Sequence, residues 1–152
     1  MRIMRRKAIG VAISTVSLLV ATSALALFTS GTANAATYDN QWPDETGCSN
    51  TAVTIYTVSQ ATAKLELRYS TACRTVWARL TVHPNALIKD PQCWVVRNSD
   101  GKNDGGIVKL SFPGDGSVVA FSEMLNDAGV TSYAAADWTT SEGHHTARTA
   151  SY

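Results

Sequence analysis

The chain has 152 residues, with 13 lysine and arginine residues, 12 aspartate and glutamate residues and three cysteines. Four of the basic residues lie within residues 1–7, so the rest of the chain is mildly acidic, with a formal charge of about −3. This balance leaves no basic cluster for nucleic acid or for an anionic membrane surface, and the length suffices for one hydrophobic core rather than two.

The first 35 residues have the three parts of a secretory signal peptide. A basic segment, residues 1–7, precedes the apolar stretch Ala8–Phe28, and Ala33-Asn34-Ala35 matches a small-residue cleavage site. An uncleaved membrane anchor is the alternative, because the apolar stretch is close to the roughly 20 residues that span a bilayer. Its serine and threonine residues favour cleavage. We therefore expect residues 36–152 to form a single secreted domain, extracellular or associated with the cell wall, with no stable membrane insertion.

The beginning of the mature chain predicts irregular structure followed by a strand. Residues 37–50 are rich in turn-forming residues, and we expect Trp42 to fold back onto the core. Thr51–Ser59 alternates, but both of its sides carry apolar residues. This pattern is typical of a strand that is covered on both faces or lies near the centre of a sheet.

The most strongly patterned part of the chain consists of two alternating segments joined by a short turn. In Lys64–Tyr69, leucine and tyrosine alternate with lysine, glutamate and arginine, and Thr75–Val82 alternates in a similar way. A period of two predicts strands, and the short connection predicts that the strands pair as an antiparallel hairpin.

One face of this hairpin is the candidate binding face. Pairing places four charged or aromatic side chains on the same side of the two strands, where charge pairs and stacking of arginine on tryptophan are available. They are Glu66, Arg68, Trp77 and Arg79. The alternative is a solvated face of weak ion pairs around a shielded tryptophan.

A second hairpin is predicted further along the chain. Pro91 is expected to end any regular structure before it, because proline lacks the N–H group that a strand ladder needs. Gln92–Arg97 then predicts a strand, residues 98–106 a long exposed turn, and Ile107–Phe112 the return strand.

The last part of the chain predicts three more short strands. They are Ser117–Phe121, Thr131–Trp138 and His145–Tyr152. Residues 122–130 predict either one helical turn or a loop. About seven to eight short strands separated by turns predict an all-β fold, a small antiparallel sandwich or barrel in one domain.

The three cysteines predict a disulfide, because an exported protein folds in an oxidising environment. They are Cys48, Cys73 and Cys93, and their spacing alone does not fix which two are paired. Three roles stay open for Cys93, which lies beside apolar residues. It is buried and inert, it replaces one partner of the disulfide, or it links two chains.

Several short motifs resemble the YjfA-like family, a secreted domain of unknown function from Gram-positive bacteria. These motifs are DETGC at residues 44–48, LELRYS at 65–70, Cys73 followed by WAR at 77–79, and Met124-Leu125. The resemblance covers roughly residues 39 to 138. It implies that Cys48 and Cys73 are the paired cysteines and leaves Cys93 as a departure from the family pattern. It implies no activity.

The sequence offers little support for catalytic or metal chemistry. His144 and His145 are adjacent, so on an extended chain they point to opposite faces and do not chelate together. The segment 100–111 resembles a calcium loop, but Lys102 stands where an oxygen ligand is needed. There is no nucleophile elbow, and Cys93 lies in an apolar strand. We therefore predict no catalytic residue, no metal and no cofactor.

Three functions follow from these observations. The first is a non-catalytic extracellular binding domain, with cell-wall glycan, another glycan or an extracellular protein as ligand, acting through the candidate binding face. The second is a purely structural or assembly protein in which the same residues stabilise the fold. The third is a small secreted hydrolase, which needs a concave site with perturbed acids or histidines. The sequence does not identify the ligand, the partner or the oligomeric state.

Overall fold

The computed structural model describes residues 38–84, 86, 88–104 and 106–152. The predicted signal peptide lies outside these residues. The described part is an all-β domain in which nine strands form two antiparallel sheets, which confirms the predicted fold class and makes it a sandwich. Within the same residues, no helix has the length and hydrophobicity needed to cross a membrane.

The strands follow one another with short connections. They are β1 (Ala52–Ser59), β2 (Ala63–Ser70), β3 (Thr75–Val82), β4 (Lys89–Arg97), β5 (Val108–Ser111), β6 (Val118–Ser122), β7 (Leu125–Asn126), β8 (Ser132–Thr140) and β9 (Gly143–Arg148). Sheet A has the order β1-β2-β3-β6-β5, and the short strand β7 also pairs with β3. Sheet B has the order β4-β8-β9.

The predicted central hairpin is confirmed as β2 and β3 in the middle of sheet A. Leu65 pairs with Leu80, and Arg68 pairs with Trp77, without any irregularity in the register. Because successive side chains of a strand point to opposite faces, this register separates an apolar face from the candidate binding face. The apolar face points to sheet B, and the other face is the outer face of sheet A.

The main core lies between the two sheets. Its members are fully or almost fully buried and come from both sheets, as expected for a sandwich in which each inner face supplies every second residue. The largest are Leu65, Leu67, Val76, Leu80, Val82, Val95, Leu125 and Trp138. Cys93 belongs to this core with 0% exposure, so of its three open roles the structure selects the buried one.

Strand β1 differs from the prediction that it is covered on both faces. It lies at the edge of sheet A, and Val53 and Tyr56 are 45% and 38% exposed. Its register with β2 shifts between Thr54 and Tyr56. The apolar residues on both sides of this strand therefore reflect β-propensity and a local irregularity rather than burial.

The predicted second hairpin is wrong. Strand β4 pairs with β8 in sheet B, whereas β5 pairs with β6 in sheet A, so the segment between β4 and β5 crosses from one sheet to the other. Strand β4 also begins before Pro91, because the register shift between Lys89 and Gln92 accommodates the proline. A proline inside a strand is tolerated at such an irregularity, where no ladder N–H is needed.

The remaining elements agree with the predictions in kind. Strands β6, β8 and β9 correspond to the three strands predicted after residue 116. Residues 122–130 form no helix but contain the two-residue strand β7. The β5–β6 pair is a hairpin across a turn rich in glycine.

The segment before β1 packs on the outer face of sheet A. A disulfide joins Cys48 to Cys73, as the family resemblance implied, with Cα atoms 5.8 Å apart. A chain-entropy estimate for a separation of 25 residues gives about 3 kcal/mol of stabilisation. Around this disulfide lies a second cluster, in which Trp77 and Met124 are buried and Tyr38 is partly buried.

Ion pairs and backbone hydrogen bonds hold the same segment at a second point. The carboxylate of Asp39 accepts hydrogen bonds from the Asn126 backbone N–H at 2.6 Å and from the Lys102 ammonium at 2.7 Å. Arg97 lies 3.3 Å from the same carboxylate. The N-terminal segment is therefore attached both to β7 and to the loop after β4.

Candidate ligand-binding site

The β2–β3 hairpin brings together the four residues predicted to form the binding face. Glu66 lies opposite Arg79, and Arg68 lies opposite Trp77. All four project from the outer face of sheet A, as the alternation predicts. Their exposure was left open by the sequence, and in the structure Glu66 and Trp77 are each only 4% exposed.

Glu66 is the buried charge of this face. Its Oε2 atom accepts hydrogen bonds from Nε and Nη2 of Arg79, both at 2.7 Å. Its Oε1 atom accepts a hydrogen bond of 3.0 Å from the Thr54 hydroxyl on β1. Lys64 lies further away, at 3.7 Å. This carboxylate therefore connects three strands of sheet A and neutralises Arg79 directly.

Arg68 has a different environment. Its guanidinium donates to the Thr54 hydroxyl and, at 3.3 Å, to the carbonyl oxygen of Ala52. It forms no ion pair with a carboxylate of the described residues. Burial and the nearby charge of Arg79 lower the pKa of Arg68, and the charge of Glu66 opposes this shift only in part. Arg68 thus carries a positive charge that has no direct counter-ion.

Trp77 is covered by the segment before β1 rather than left open as a contact surface. It packs with the Cys48–Cys73 disulfide and Met124, and Phe121 lies against the same cluster. Trp42 folds back as predicted, but its ring contacts Phe121 on the outer face of sheet A, with ring centroids 6.0 Å apart. Trp77 is therefore shielded, as in the second of the two interpretations that the sequence left open, because a segment without periodicity covers it.

The N-terminal segment and the outer face of sheet A enclose an open cavity of about 310 Å³. Three of the four predicted residues line it, namely Arg68, Trp77 and Arg79. The full lining is Pro43, Asp44, Ser49, Ala52, Arg68, Trp77, Arg79, Ser111, Val119 and Phe121. We call this space the arginine cavity.

The wall near β5 was not predicted from the sequence. Lys109 donates to the carboxylates of Asp44 at 2.7 Å and Glu45 at 3.1 Å. Its ammonium also lies 5.7 Å from the ring centroid of Trp42 and 6.0 Å from that of Phe121. Burial acts to raise the pKa of Asp44, but the hydrogen bond and charge of Lys109, together with backbone hydrogen bonds, outweigh it and the pKa is lowered. Asp44 is therefore an ionised, already paired carboxylate.

His145 and the two aspartates of the loop after β4 have partners within the fold. His145 stacks on Trp138, with ring centroids 5.4 Å apart, while His144 is exposed. Asp100 pairs with Arg97 at 2.6 Å. Asp104 is buried and accepts hydrogen bonds from the backbone of Val95 and Gly106.

In the part of the chain that the structure describes, no three histidine, cysteine, aspartate or glutamate side chains are grouped in a way that could hold a metal ion.

Comparison with known proteins identifies a family but no activity. The family described as "Protein of unknown function (DUF2690)" matches residues 36–135. The chain belongs to this family. The DUF2690 match includes the central hairpin, both disulfide cysteines and the lining of the arginine cavity. A comparison with curated proteins finds no significant match.

The arginine cavity combines a concave shape with both charged and apolar side chains in its wall. It is concave, its size is at the lower end of the range typical of small-ligand sites, and apolar side chains alternate with a few charged groups. Asp44 is the one acidic residue of its lining, and Lys109 holds it. The geometry therefore suits recognition of one small chemical group.

Proposed function

We propose that the mature chain is a non-catalytic extracellular domain that binds part of a larger ligand in the arginine cavity. The observation that carries the proposal is the position of Arg68, a cation without a direct counter-ion that faces a concave, mostly apolar space. Burying such a charge costs free energy unless the charge is paired. The folded protein has already desolvated part of Arg68, so a ligand that pairs with it does not bear that cost on binding.

The predicted location of the protein and its resemblance to a secreted family both fit a role outside the cell. We propose that the protein is secreted after removal of residues 1–35 and acts outside the cell or at the cell wall. We also propose that it belongs with the YjfA-like proteins of Gram-positive bacteria. The paired cysteines support an oxidising compartment, because a disulfide of this kind persists there and not in a reducing cytoplasm.

The size of the cavity limits what it holds. About 310 Å³ suits a single sugar ring or one amino-acid side chain, whereas larger ligands need sites towards 1,000 Å³. A glycan or a protein would therefore place one residue in the arginine cavity and lie along the surrounding surface with the rest.

A cavity-filling substitution tests the proposal. Ser111 is exposed, lines the cavity and ends the edge strand β5, so Ser111→Trp fills the space with little cost to the fold. Ser59 is also an exposed serine at the end of an edge strand, β1, but it does not line the cavity. Ser59→Trp is therefore the matched control.

The assay measures binding of the mature protein to cell-wall preparations, a glycan array and a peptide library. We expect Ser111→Trp to weaken binding at least tenfold and Ser59→Trp to leave it unchanged. Binding that survives Ser111→Trp would move the site elsewhere, and uniformly absent binding of the unmodified protein would remove the proposal.

A structural role for the family motif is the second candidate, and the burial of Glu66 and Trp77 favours it for those two residues. Trp77→Ala is expected to cost about 3–5 kcal/mol, as for other buried aromatic residues. Arg68→Gln removes the charge and shortens the side chain, so the hydrogen bonds to Thr54 and Ala52 are lost. Because Arg68 is only partly buried, this variant is expected to change stability much less than Trp77→Ala. A large loss of stability in both variants, with ligand binding unaffected by Arg68→Gln in folded protein, would favour the structural role alone.

A further inference from the structure

The charges around the arginine cavity are unequal at its two ends. On β2, Arg68 has no carboxylate partner among the described residues, while Arg79 is neutralised by Glu66. Near β5, Asp44 is neutralised by Lys109. In the order of sheet A, β3 and β6 lie between β2, which carries Arg68, and β5, which carries Lys109. The positive end and the carboxylate end are therefore distinct.

The positive end suits a carboxylate. A guanidinium carries five N–H donors. In Arg68, Nη1 donates one hydrogen bond to Thr54 and Nη2 donates one to the carbonyl of Ala52, so other N–H groups are left for a ligand. Arginine binds planar carboxylates through two parallel hydrogen bonds, which gives these pairs both energy and a fixed orientation. An anion placed here also relieves the repulsion between Arg68 and Arg79, which both line the cavity.

The other end does not suit a second charge. Asp44 would repel an anion, and its ion pair with Lys109 leaves little attraction for a cation. A neutral hydroxyl group can donate to the Asp44 carboxylate without disturbing that pair. The hydroxyl groups of Ser49 and Ser111, which also line the cavity, add partners that both donate and accept.

The middle of the cavity is apolar. Phe121, Val119 and the edge of Trp77 line it. Such a surface packs against the C–H groups of a ring, and a flexible acidic side chain would leave much of it uncovered. The volume of about 310 Å³ corresponds to one such ring together with its substituents.

We propose that the arginine cavity recognises an acidic sugar, a hexuronic acid whose carboxylate pairs with Arg68 beside Arg79 and whose hydroxyl groups face Asp44. This inference rests on the proposed function and specifies its ligand class. The sugar is either free or a residue of an acidic polysaccharide, because both present the same carboxylate on the same ring.

Three small probes and one polymer test the proposal with the mature protein. Galacturonic acid and galactose share a ring and differ at the carboxylate, and glutamate carries carboxylates without the ring. Polygalacturonate distinguishes a polymer residue from the free sugar. By isothermal titration calorimetry at pH 7, we expect galacturonic acid or its polymer to bind at least tenfold more tightly than galactose and glutamate.

Arg68→Gln removes the charge and retains an amide donor, so it is the decisive variant. Loss of a hydrogen bond to a charged group corresponds to a roughly tenfold to hundredfold weakening of binding. We expect this weakening for galacturonic acid and no change for galactose. Arg148→Gln is the matched control, because Arg148 is exposed on β9, in sheet B, with its guanidinium 3.6 Å from the Tyr133 ring centroid. It is expected to bind like the unmodified protein.

Each other result overturns a defined part of the account. Equal binding of galactose and galacturonic acid would refute recognition of the carboxylate, and preferred binding of glutamate would refute the sugar ring. If none of the probes binds while a ligand from the wider panel is lost in Ser111→Trp, the acidic sugar is wrong and the proposed function stands. If neither the probes nor the panel bind, both are wrong.

Discussion

The ion pair between Glu66 and Arg79 should make a measurable contribution to stability, although most ion pairs at protein surfaces do not. The pair is distinguished by its environment, because the Glu66 side chain is only 6% exposed and two Arg79 donors lie 2.7 Å from one carboxylate oxygen. Removing only the carboxylate also leaves Arg79 without its counter-ion and beside the charge of Arg68.

The expected magnitude follows from this geometry. Two unit charges about 4 Å apart interact by about 4 kcal/mol at the effective dielectric constant of about 20 that suits partly exposed sites. The Arg79 side chain is 35% exposed, so water screens a substantial part of this energy. We therefore expect a coupling free energy of about 1–2 kcal/mol, and a loss of about 2–3 kcal/mol for Glu66→Gln alone.

A double-mutant cycle in urea measures this coupling. It needs the unmodified mature protein, Glu66→Gln, Arg79→Gln and the double variant, each with its free energy of unfolding. The control cycle uses Asp44→Asn and Lys109→Gln, an ion pair whose side chains are 45% and 39% exposed and whose coupling is expected to be smaller. A coupling at Glu66 and Arg79 that is zero, or no larger than the control, would refute the reasoning.

Three further predictions concern the rest of the domain. The double variant Cys48→Ala, Cys73→Ala should lose about 3 kcal/mol of unfolding free energy in urea, because the cross-link restricts the unfolded chain; an unchanged midpoint would contradict this. Burial raises the pKa of Asp127 to about 6, above its usual value of 3.8, so the folded state binds the proton more tightly than the unfolded state. Its contribution to stability is therefore complete below about pH 4 and is lost as the pH rises through 6, and thermal melts between pH 4 and 7 should show a shallower dependence for Asp127→Asn. Burial also raises the pKa of the Cys93 thiol, and the side chain is 0% exposed, so a maleimide should label one thiol per chain after denaturation and very little before it.

The faces of the strands could be predicted from the sequence, but their partners could not. Alternation in Lys64–Tyr69 and Thr75–Val82 assigns each side chain to one face of its strand. Because the turn between the two segments is short, an antiparallel hairpin is the simplest arrangement, and the structure has it. The same reasoning fails for β4 and β5, because residues 98–107 are numerous enough to reach either sheet. Alternation carries no information about which sheet a strand joins.

The candidate site shows the same division. Arg68 and Arg79 were predicted because both lie on one patterned hairpin, and both line the arginine cavity. Asp44, Lys109 and Phe121 were missed, because they reach the site through contacts between residues far apart in the sequence. The disulfide was the available signal, since joining Cys48 to Cys73 brings the N-terminal segment next to β3.

The burial of Trp77 has the same origin. A strand pattern predicts which face a side chain occupies and not whether another segment covers that face. Here the segment before β1, which has no periodicity of its own, packs around Met124 and the disulfide and covers the tryptophan. The predicted face, whose exposure the sequence left open, thus forms part of the wall of a cavity that is lined by two arginines.

Nuclear magnetic resonance gives the most direct test of the claim that this cavity is the ligand site. The side-chain Nε–Hε signals of Arg68 and Arg79 can be assigned by substitution and followed while galacturonic acid is added to the mature protein. The account predicts saturable shifts in these two signals and in backbone amides around the cavity, with the Arg148 signal unchanged. Shifts confined to sheet B, or saturable binding that leaves the Arg68 signal in place, would contradict it.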